Sequence, residues 1–328
     1  MINRRTLLAA GIAAAGATGQ TPAPRVAGAA GVAGLPDPAE TIDLWPGGVP
    51  GAPHNLPVET VQERSPDKQL TDRAVFGISR PRLVVFRPER PNGAGLLVMP
   101  GGGYRWVVID KEGYEIGRHL SARGFTVFVL FYRLPGEGWA AGPDVALADA
   151  QRAMRLIRHR ASDFGLDPAR IAAMGFSAGG HVCADLATRF AAAVYQPVDA
   201  ADSISARPML AAPIYPVVSM NPPLAHAGSR SLLLGSNATP AQEAAHSPHR
   251  NVPPDAPPMF LLHAEDDDSV PVDNSLLLHA ALRARAVPVE MHLFTHGGHG
   301  FGLRKAIGKP VGIWPDLFLA WAHSQGLH

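Results

Sequence analysis

Arg170-Ile171-Ala172-Ala173-Met174-Gly175-Phe176-Ser177-Ala178-Gly179-Gly180 sets a short apolar run, a serine between glycines and the start of a second small-residue stretch directly in series. Residues 170–174 read as a strand that follows the turn Asp167-Pro168, and residues 180–189 read as a helix. A serine at so sharp a strand-to-helix junction is held at strained backbone angles. The flanking positions must be small so that strand and helix can approach and the hydroxyl stands clear of the sheet. Glycine, alanine and serine are abundant in this chain, so the five residues 175–179 could arise by chance. Their context is what the chemistry requires.

The surrounding sequence repeats the same rhythm. Leu83-Val84-Val85-Phe86 and Leu96-Leu97-Val98-Met99 are short apolar runs bounded by turn residues. Thr126-Val127-Phe128-Val129-Leu130-Phe131 is unbroken in its hydrophobicity, as expected of a strand covered on both faces. Between and after these runs, residues 112–123 and 144–162 carry apolar side chains three and four apart, Ala146, Ala150, Ala153 and Ile157 among them. Strands at 209–215, 259–263 and 289–294 then alternate with helices at 274–285 and 314–324. Strands alternating with helices predict an α/β fold with a mostly parallel central sheet and helices on both faces.

A serine hydroxyl is a poor nucleophile near neutral pH and needs a base, which in turn needs an orienting acid. Thr295-His296-Gly297-Gly298-His299-Gly300-Phe301-Gly302 follows the last strand, and its glycines let a loop carry an imidazole to the serine. His299, deeper in the loop, is the expected base and His296 the runner-up. Phe260-Leu261-Leu262-His263-Ala264-Glu265-Asp266-Asp267-Asp268-Ser269-Val270-Pro271 is a strand running into an acidic loop. Functional groups gather beyond the carboxyl ends of such strands. Three successive aspartates cannot all face one imidazole, and capping or solvation accounts for two of them without selecting the third. Met99-Pro100-Gly101-Gly102-Gly103-Tyr104 ends another strand in three glycines, whose N–H groups can converge on a developing oxyanion. The run lacks the Gly-Lys-Ser/Thr ending of a phosphate-binding loop.

The order serine, aspartate, histidine is that of an α/β-hydrolase, with 90 residues from Ser177 to Asp267 and 32 from there to His299. The chain resembles that superfamily over residues 44–328, and most closely its esterase/lipase branch that includes acetyl-xylan-esterase-like proteins. Pro100-Gly101-Gly102-Gly103-Tyr104 is similar to the branch's His-Gly-Gly-Gly motif, with proline in place of histidine. The resemblance implies an α/β-hydrolase fold, catalytic Ser177, Asp267 and His299, and oxyanion donors at Gly102, Gly103 and Ala178. An Asp-x-x-Val-Pro pattern, matched by Asp267 to Pro271, is what selects Asp267 and leaves Asp268 as the fallback. Glu112-Gly113 resembles a His-Glu-Gly element of the branch, but Lys111 replaces the histidine, so this loop is not expected to face the substrate. Tyr104, Arg105, Trp106 and Trp139 are candidate substrate-lining residues, since aromatic faces suit sugar rings. The activity implied is hydrolysis of small acyl esters, acetyl foremost, of small molecules or carbohydrates. A serine peptidase of the same fold and a secreted non-catalytic binding protein are the alternatives.

The rest of the composition is consistent with such an enzyme. The 328 residues are 46% hydrophobic and 17% charged, enough for a large core, and a net charge of +1 gives no electrostatic case for nucleic acid or an acidic membrane surface. The one cysteine, Cys183, forms no intrachain disulfide and reads as a small buried apolar residue. His246-Ser247-Pro248-His249 lacks further ligands at zinc spacing, and no metal or organic cofactor is expected. Asn3-Arg4-Arg5-Thr6-Leu7-Leu8 places paired arginines before a mildly apolar run, as in a twin-arginine export signal. The expected organisation is a signal peptide at 1–17, a flexible lead-in at 18–38 and one catalytic domain at 39–328, periplasmic or secreted and free of the membrane after cleavage.

Overall fold

A computed structural model describes residues 37–328. The expected export signal and all but the last two residues of the lead-in lie outside the described residues. The strands are β1 (Thr41–Asp43), β2 (Thr60–Glu63), β3 (Arg73–Phe76), β4 (Arg82–Phe86), β5 (Gly95–Met99), β6 (Val107–Val108), β7 (Thr126–Phe131), β8 (Ile171–Phe176), β9 (Ala211–Ile214), β10 (Met259–Ala264) and β11 (Val289–Phe294). The helices are α1 (Glu115–Ser121), α2 (Val145–His159), α3 (Ala178–Arg189), α4 (Ala227–Leu234), α5 (Pro240–Ala245), α6 (Asp273–Ala284) and α7 (Trp314–Ser324).

Eight strands form the central sheet in the order β1-β4-β7-β5-β8-β9-β10-β11. The β1–β4 and β4–β7 pairings are antiparallel and every pairing from β7 to β11 is parallel. The inner strands β5, β7, β8 and β10 are buried along their whole length. This is why they read as continuous apolar runs rather than as alternating ones. Helices pack around the sheet, α3 against β8 and β9, and α6 against β10 and β11. Because β5, β8, β10 and β11 run in the same direction, their carboxyl ends deliver the glycine loop, Ser177, the acidic loop and the histidine loop to one edge.

Two parts of the sequence reading need correction. The segment 112–123 is not one α-helix. It opens with a wide turn over Asp110–Tyr114, in which Tyr114 N–H donates to Ile109 O at 2.7 Å, and only then continues as α1. The run 209–215 is shorter than expected, since Tyr215 takes φ +35° and ends the strand at Ile214. A second sheet, β2-β3-β6, was not anticipated. Its outer strand, Thr60-Val61-Gln62-Glu63, is exposed throughout and has no apolar signature to read.

Candidate active site

Ser177 sits between β8 and α3 at φ +54° and ψ −118°, a conformation costly for any residue with a Cβ. The backbone around it holds the strain in place. Ser177 N–H donates to Ile214 O at 3.0 Å, and Ser177 O accepts from His181 N–H at 3.0 Å and Val217 N–H at 3.1 Å. The turn also needs close packing. A Cβ on Gly179 would lie 2.1 Å from Met99 O and 2.4 Å from Pro100 O, so α3 can approach the end of β5 only with glycine there.

The serine Oγ lies 2.8 Å from Nε2 of His299, and Nδ1 of the same ring lies 2.7 Å from Oδ2 of Asp267. The side chain of Asp267 is buried, and its Oδ1 accepts from the backbone N–H groups of Ser269 at 3.0 Å and Val270 at 2.8 Å. Burial alone would raise this carboxyl. It is outweighed by the hydrogen bonds from His263 and His299, the charge of His299 and the Val270 N–H, which together hold Asp267 well below the usual carboxylate range. An ionised Asp267 fixes Nδ1 of His299 as the donor and leaves Nε2 free to take the serine proton.

The neighbouring acids have other partners. Asp266 Oδ1 accepts from Gly297 N–H at 2.8 Å and Gly298 N–H at 2.7 Å, pinning the histidine loop to the acidic loop. Asp268 is exposed and accepts from Ser269 Oγ at 3.3 Å. His296 is exposed and faces Asp266 at 3.4 Å, away from the serine.

The glycine loop lies against Ser177, since a Cβ on Gly101 would meet Ser177 Cβ at 2.9 Å. Gly101 N–H is committed to Glu112 Oε2 at 2.9 Å. Among the described residues the N–H groups of Gly102 and Gly103 have no backbone or side-chain acceptor, and both glycines line the cavity with Ser177. Gly102 takes φ +134°, and a Cβ there would sit 2.1 Å from Trp106 O, so the loop cannot close around a larger residue. Ala178 is the first residue of α3, where an N–H group lacks an intrahelical acceptor.

An open cavity of about 460 Å³ spreads in front of these groups, lined among others by Arg64, Arg105, Lys111, Glu112, His226 and Leu232. Arg105 lines it as expected; the other three candidate substrate-lining residues do not. Tyr104 is 2% exposed and points backward, its hydroxyl 2.6 Å from His181 Nδ1 on α3. Because His181 Nε2–H donates to His246 O at 2.8 Å, Tyr104 is the donor to Nδ1. Trp139 is 3% exposed and buries its ring against the Arg133 guanidinium. Trp106 is half-buried, with the guanidinium groups of Arg64 and Arg105 5.6 Å and 4.9 Å from its ring centre. Conversely, the loop that was not expected to face the substrate lines the cavity in front of Ser177, through Lys111 and Glu112.

Two supporting residues, His263 and Tyr215, were not singled out in the sequence, and the partners of a third, Glu112, were not foreseen. His263, fully buried in β10, sets Nε2 3.2 Å from Asp267 Oδ2 and 3.0 Å from Val270 O, with Nδ1 2.7 Å from Ser275 Oγ. A lone histidine inside an apolar strand was the available signal. Tyr215 donates to Glu112 Oε1 at 3.0 Å, accepts from Gly302 N–H at 3.2 Å and sets its ring 5.3 Å from that of His299. Glu112 thus joins the oxyanion loop to the histidine loop, a link between distant segments that no local pattern encodes. One group of potential metal ligands occurs among the described residues, Asp144, Asp185 and His246. The Arg189 guanidinium already bridges both carboxylates, at 2.9 Å and 3.1 Å, and supplies the positive charge a cation would bring.

Comparison with known proteins agrees with this architecture. The model of the BD-FAE family matches residues 87–282, more than half of the chain. The chain belongs to the BD-FAE family. Among curated relatives, endo-1,4-beta-xylanase B of Butyrivibrio fibrisolvens is 37% identical over 62% of this chain and 32% of that protein. The acetylxylan esterase of Xylanibacter ruminicola is 30% identical over 67% of this chain and 44% of that protein. The chain therefore spans less than half the length of these two relatives. Among solved structures, the acetyl ester-xyloside bifunctional hydrolase of Caldicellulosiruptor lactoaceticus superposes with a TM-score of 0.71 at 34% identity, covering 90% of this chain and 99% of that one. Thermogutta terrifontis esterase 2, at 22% identity and a TM-score of 0.61, shares the fold over 83% of this chain and 97% of its own. This BD-FAE member has the α/β-hydrolase fold expected from its sequence.

Proposed function

We propose that this chain is a serine carboxylic-ester hydrolase that works through an acyl-enzyme on small acyl esters, acetyl foremost, of carbohydrates. The observation that carries the reading is the continuous relay from Ser177 Oγ through His299 to Asp267, at 2.8 Å and 2.7 Å. The acetyl and carbohydrate parts rest on relatives named an acetylxylan esterase and an acetyl ester-xyloside hydrolase.

In this mechanism Ser177 Oγ bonds to the ester carbonyl carbon while its proton passes to His299 Nε2. Asp267 stabilises the imidazolium that forms. The carbonyl oxygen becomes an oxyanion facing the N–H groups of Gly102, Gly103 and Ala178, donors of a kind worth roughly 10²–10³ in rate when well placed. The tetrahedral intermediate expels the alcohol, which leaves with the proton from His299. Water, activated by the same imidazole, then releases the acid and restores the serine.

The test is turnover of p-nitrophenyl acetate. Ser177→Ala should retain its fold and lose roughly 10⁴-fold or more in kcat. Full retention of activity in the variant, or no turnover by folded wild type, would sink the reading. We also propose that the paired arginines Arg4 and Arg5 export the protein to the periplasm or beyond. Cell fractionation checks this, since Arg4→Lys/Arg5→Lys should strand the protein in the cytoplasm, and unchanged export would refute it.

A further inference from the structure

The cavity wall beside the serine is strongly basic although the whole chain carries a net charge of only +1. Arg64, Arg105 and Lys111 all line it, and Glu112 is the one carboxylate among the lining residues. Glu112 is already engaged by Gly101 N–H and the Tyr215 hydroxyl, and Lys111 Nζ stands 3.9 Å from it, beyond hydrogen-bond distance. Lys111 is 9% exposed and Arg105 is exposed, and among the described residues neither makes a hydrogen bond to the protein through its charged group. Arg64 is paired with Asp72 at 2.7 Å. Three cations therefore line the wall; Asp72 balances Arg64, and Glu112 is held by Gly101 and Tyr215, which leaves the charged groups of Arg105 and Lys111 without a hydrogen-bonded counter-charge.

This arrangement is built by the fold rather than left on a mobile surface. The wide turn Asp110–Tyr114 inserts an extra residue where a regular helix would run, and it turns Lys111 and Glu112 together into the cavity. The wall also has a definite side. A Cβ on Gly300 would lie 3.1 Å from Lys111 Nζ, so the ammonium group stands next to the loop that carries His299. His299 is the group that hands a proton to the departing alcohol, which places Lys111 on the leaving-group side.

We propose that the ester this site prefers carries an anionic group on its alcohol portion, as in an acylated saccharide bearing a carboxylate or a sulfate. The proposal rests on the ester-hydrolase reading above and deepens it. Arg105 and Lys111 meet the anion directly, and Arg64 adds field from beside Trp106.

The test uses four phenyl acetates with the same acyl group: 4-acetoxybenzoate, 4-acetoxybenzenesulfonate, neutral 4-acetoxybenzamide and cationic 4-acetoxy-N,N,N-trimethylanilinium. Each kcat/KM is divided by the rate of alkaline hydrolysis of that ester, which removes the difference in leaving-group acidity. The expected order is anions first, neutral next and cation last, with anions favoured over the neutral ester by about tenfold or more at low salt. The two anions distinguish a carboxylate from a sulfate-like source. Lys111→Gln and Arg105→Gln should each lower the anion-to-neutral ratio several-fold, and 0.5 M NaCl should compress it. The exposed Arg105 guanidinium makes no hydrogen bond to the protein among the described residues, so its variant keeps the test valid if Lys111→Gln fails to fold. Equal normalised rates for all four esters, or a ratio untouched by both variants, would overturn the proposal while leaving the esterase reading intact. Hydrolysis of none of them would instead count against the esterase reading itself.

Discussion

Asp267 Oδ2 receives two imidazoles, His299 Nδ1 at 2.7 Å and His263 Nε2 at 3.2 Å, while Oδ1 takes two backbone N–H groups. With four donors around it, this carboxylate is the acid of the three best organised to hold His299 in one tautomer. Asp267→Asn should therefore lower kcat roughly 10³–10⁴-fold, because an amide cannot favour the required tautomer. Asp268→Asn, at an exposed side chain, should change kcat less than about twofold, and comparable losses in the two variants would contradict the assignment. The run Asp266-Asp267-Asp268 shows what a sequence can and cannot reveal at this scale. That one of the three would orient a base was legible from its place after a strand. That Asp266 would clamp Gly297 and Gly298 was not, since those partners lie 31 and 32 residues away and meet it only in the folded loops. The candidate aromatic residues misled for a related reason: Tyr104 and Trp139 are apolar enough to be drawn into the core, and neither adjacency to the glycine loop nor a place in a flexible-looking loop says which way a ring turns.

At the scale of elements, the buried parallel strands were legible because both faces are covered, and β7 runs over the residues its hydrophobic run defines; the half-exposed edge strand β11 also keeps the expected bounds. The outer strand β2 and helices α4 and α5 were not, because they bury few side chains, and β3 and β6 are largely buried but only four and two residues long. The wide turn before α1 was hidden as well, since residues 112–123 keep a helical spacing whether or not an extra residue is inserted ahead of them. The junction of β5 with α3 is among the tight contacts at the site. Gly179→Ala would force a methyl group to 2.1 Å from Met99 O, and relieving that clash means moving α3 off the strand that carries the oxyanion loop. Its expected effect is a loss of about 2–3 kcal/mol or more in urea unfolding, together with a large fall in kcat. Wild-type stability in this variant would show that the packing has slack that the structure does not reveal.

Across the molecule, buried histidines make stability depend on acid. His119 and His181 are each pushed down to about 4, first by burial, with the charge of Arg123 adding to it for His119 and that of Arg189 for His181. Both stay neutral in the folded chain down to that pH, whereas an unfolded histidine takes a proton near 6.5. Stability should therefore fall as pH drops from about 6.5 to 4, by on the order of 2–3 kcal/mol per residue at most. Asp267 works below that window: its depressed carboxyl contributes stability above the unfolded value near 3.8, which is lost as pH falls further. His119 Nε2 is buried without a hydrogen-bond partner, so His119→Leu removes one of these groups at little structural cost. Urea midpoints for this variant should decline less than wild type between pH 6.5 and 4.5, and parallel curves would contradict the argument.

The whole account turns on whether Ser177 is the nucleophile. Intact-protein mass spectrometry after treatment with a fluorophosphonate probe tests this directly, because the probe bonds to a serine activated by a neighbouring imidazole and leaves resting hydroxyls alone. The expected result is addition of a single probe, mapped by peptide fragmentation to Ser177, with ester turnover lost in proportion to labelling and no adduct in Ser177→Ala. Labelling at another residue, or full turnover in a protein whose Ser177 is completely modified, would contradict it.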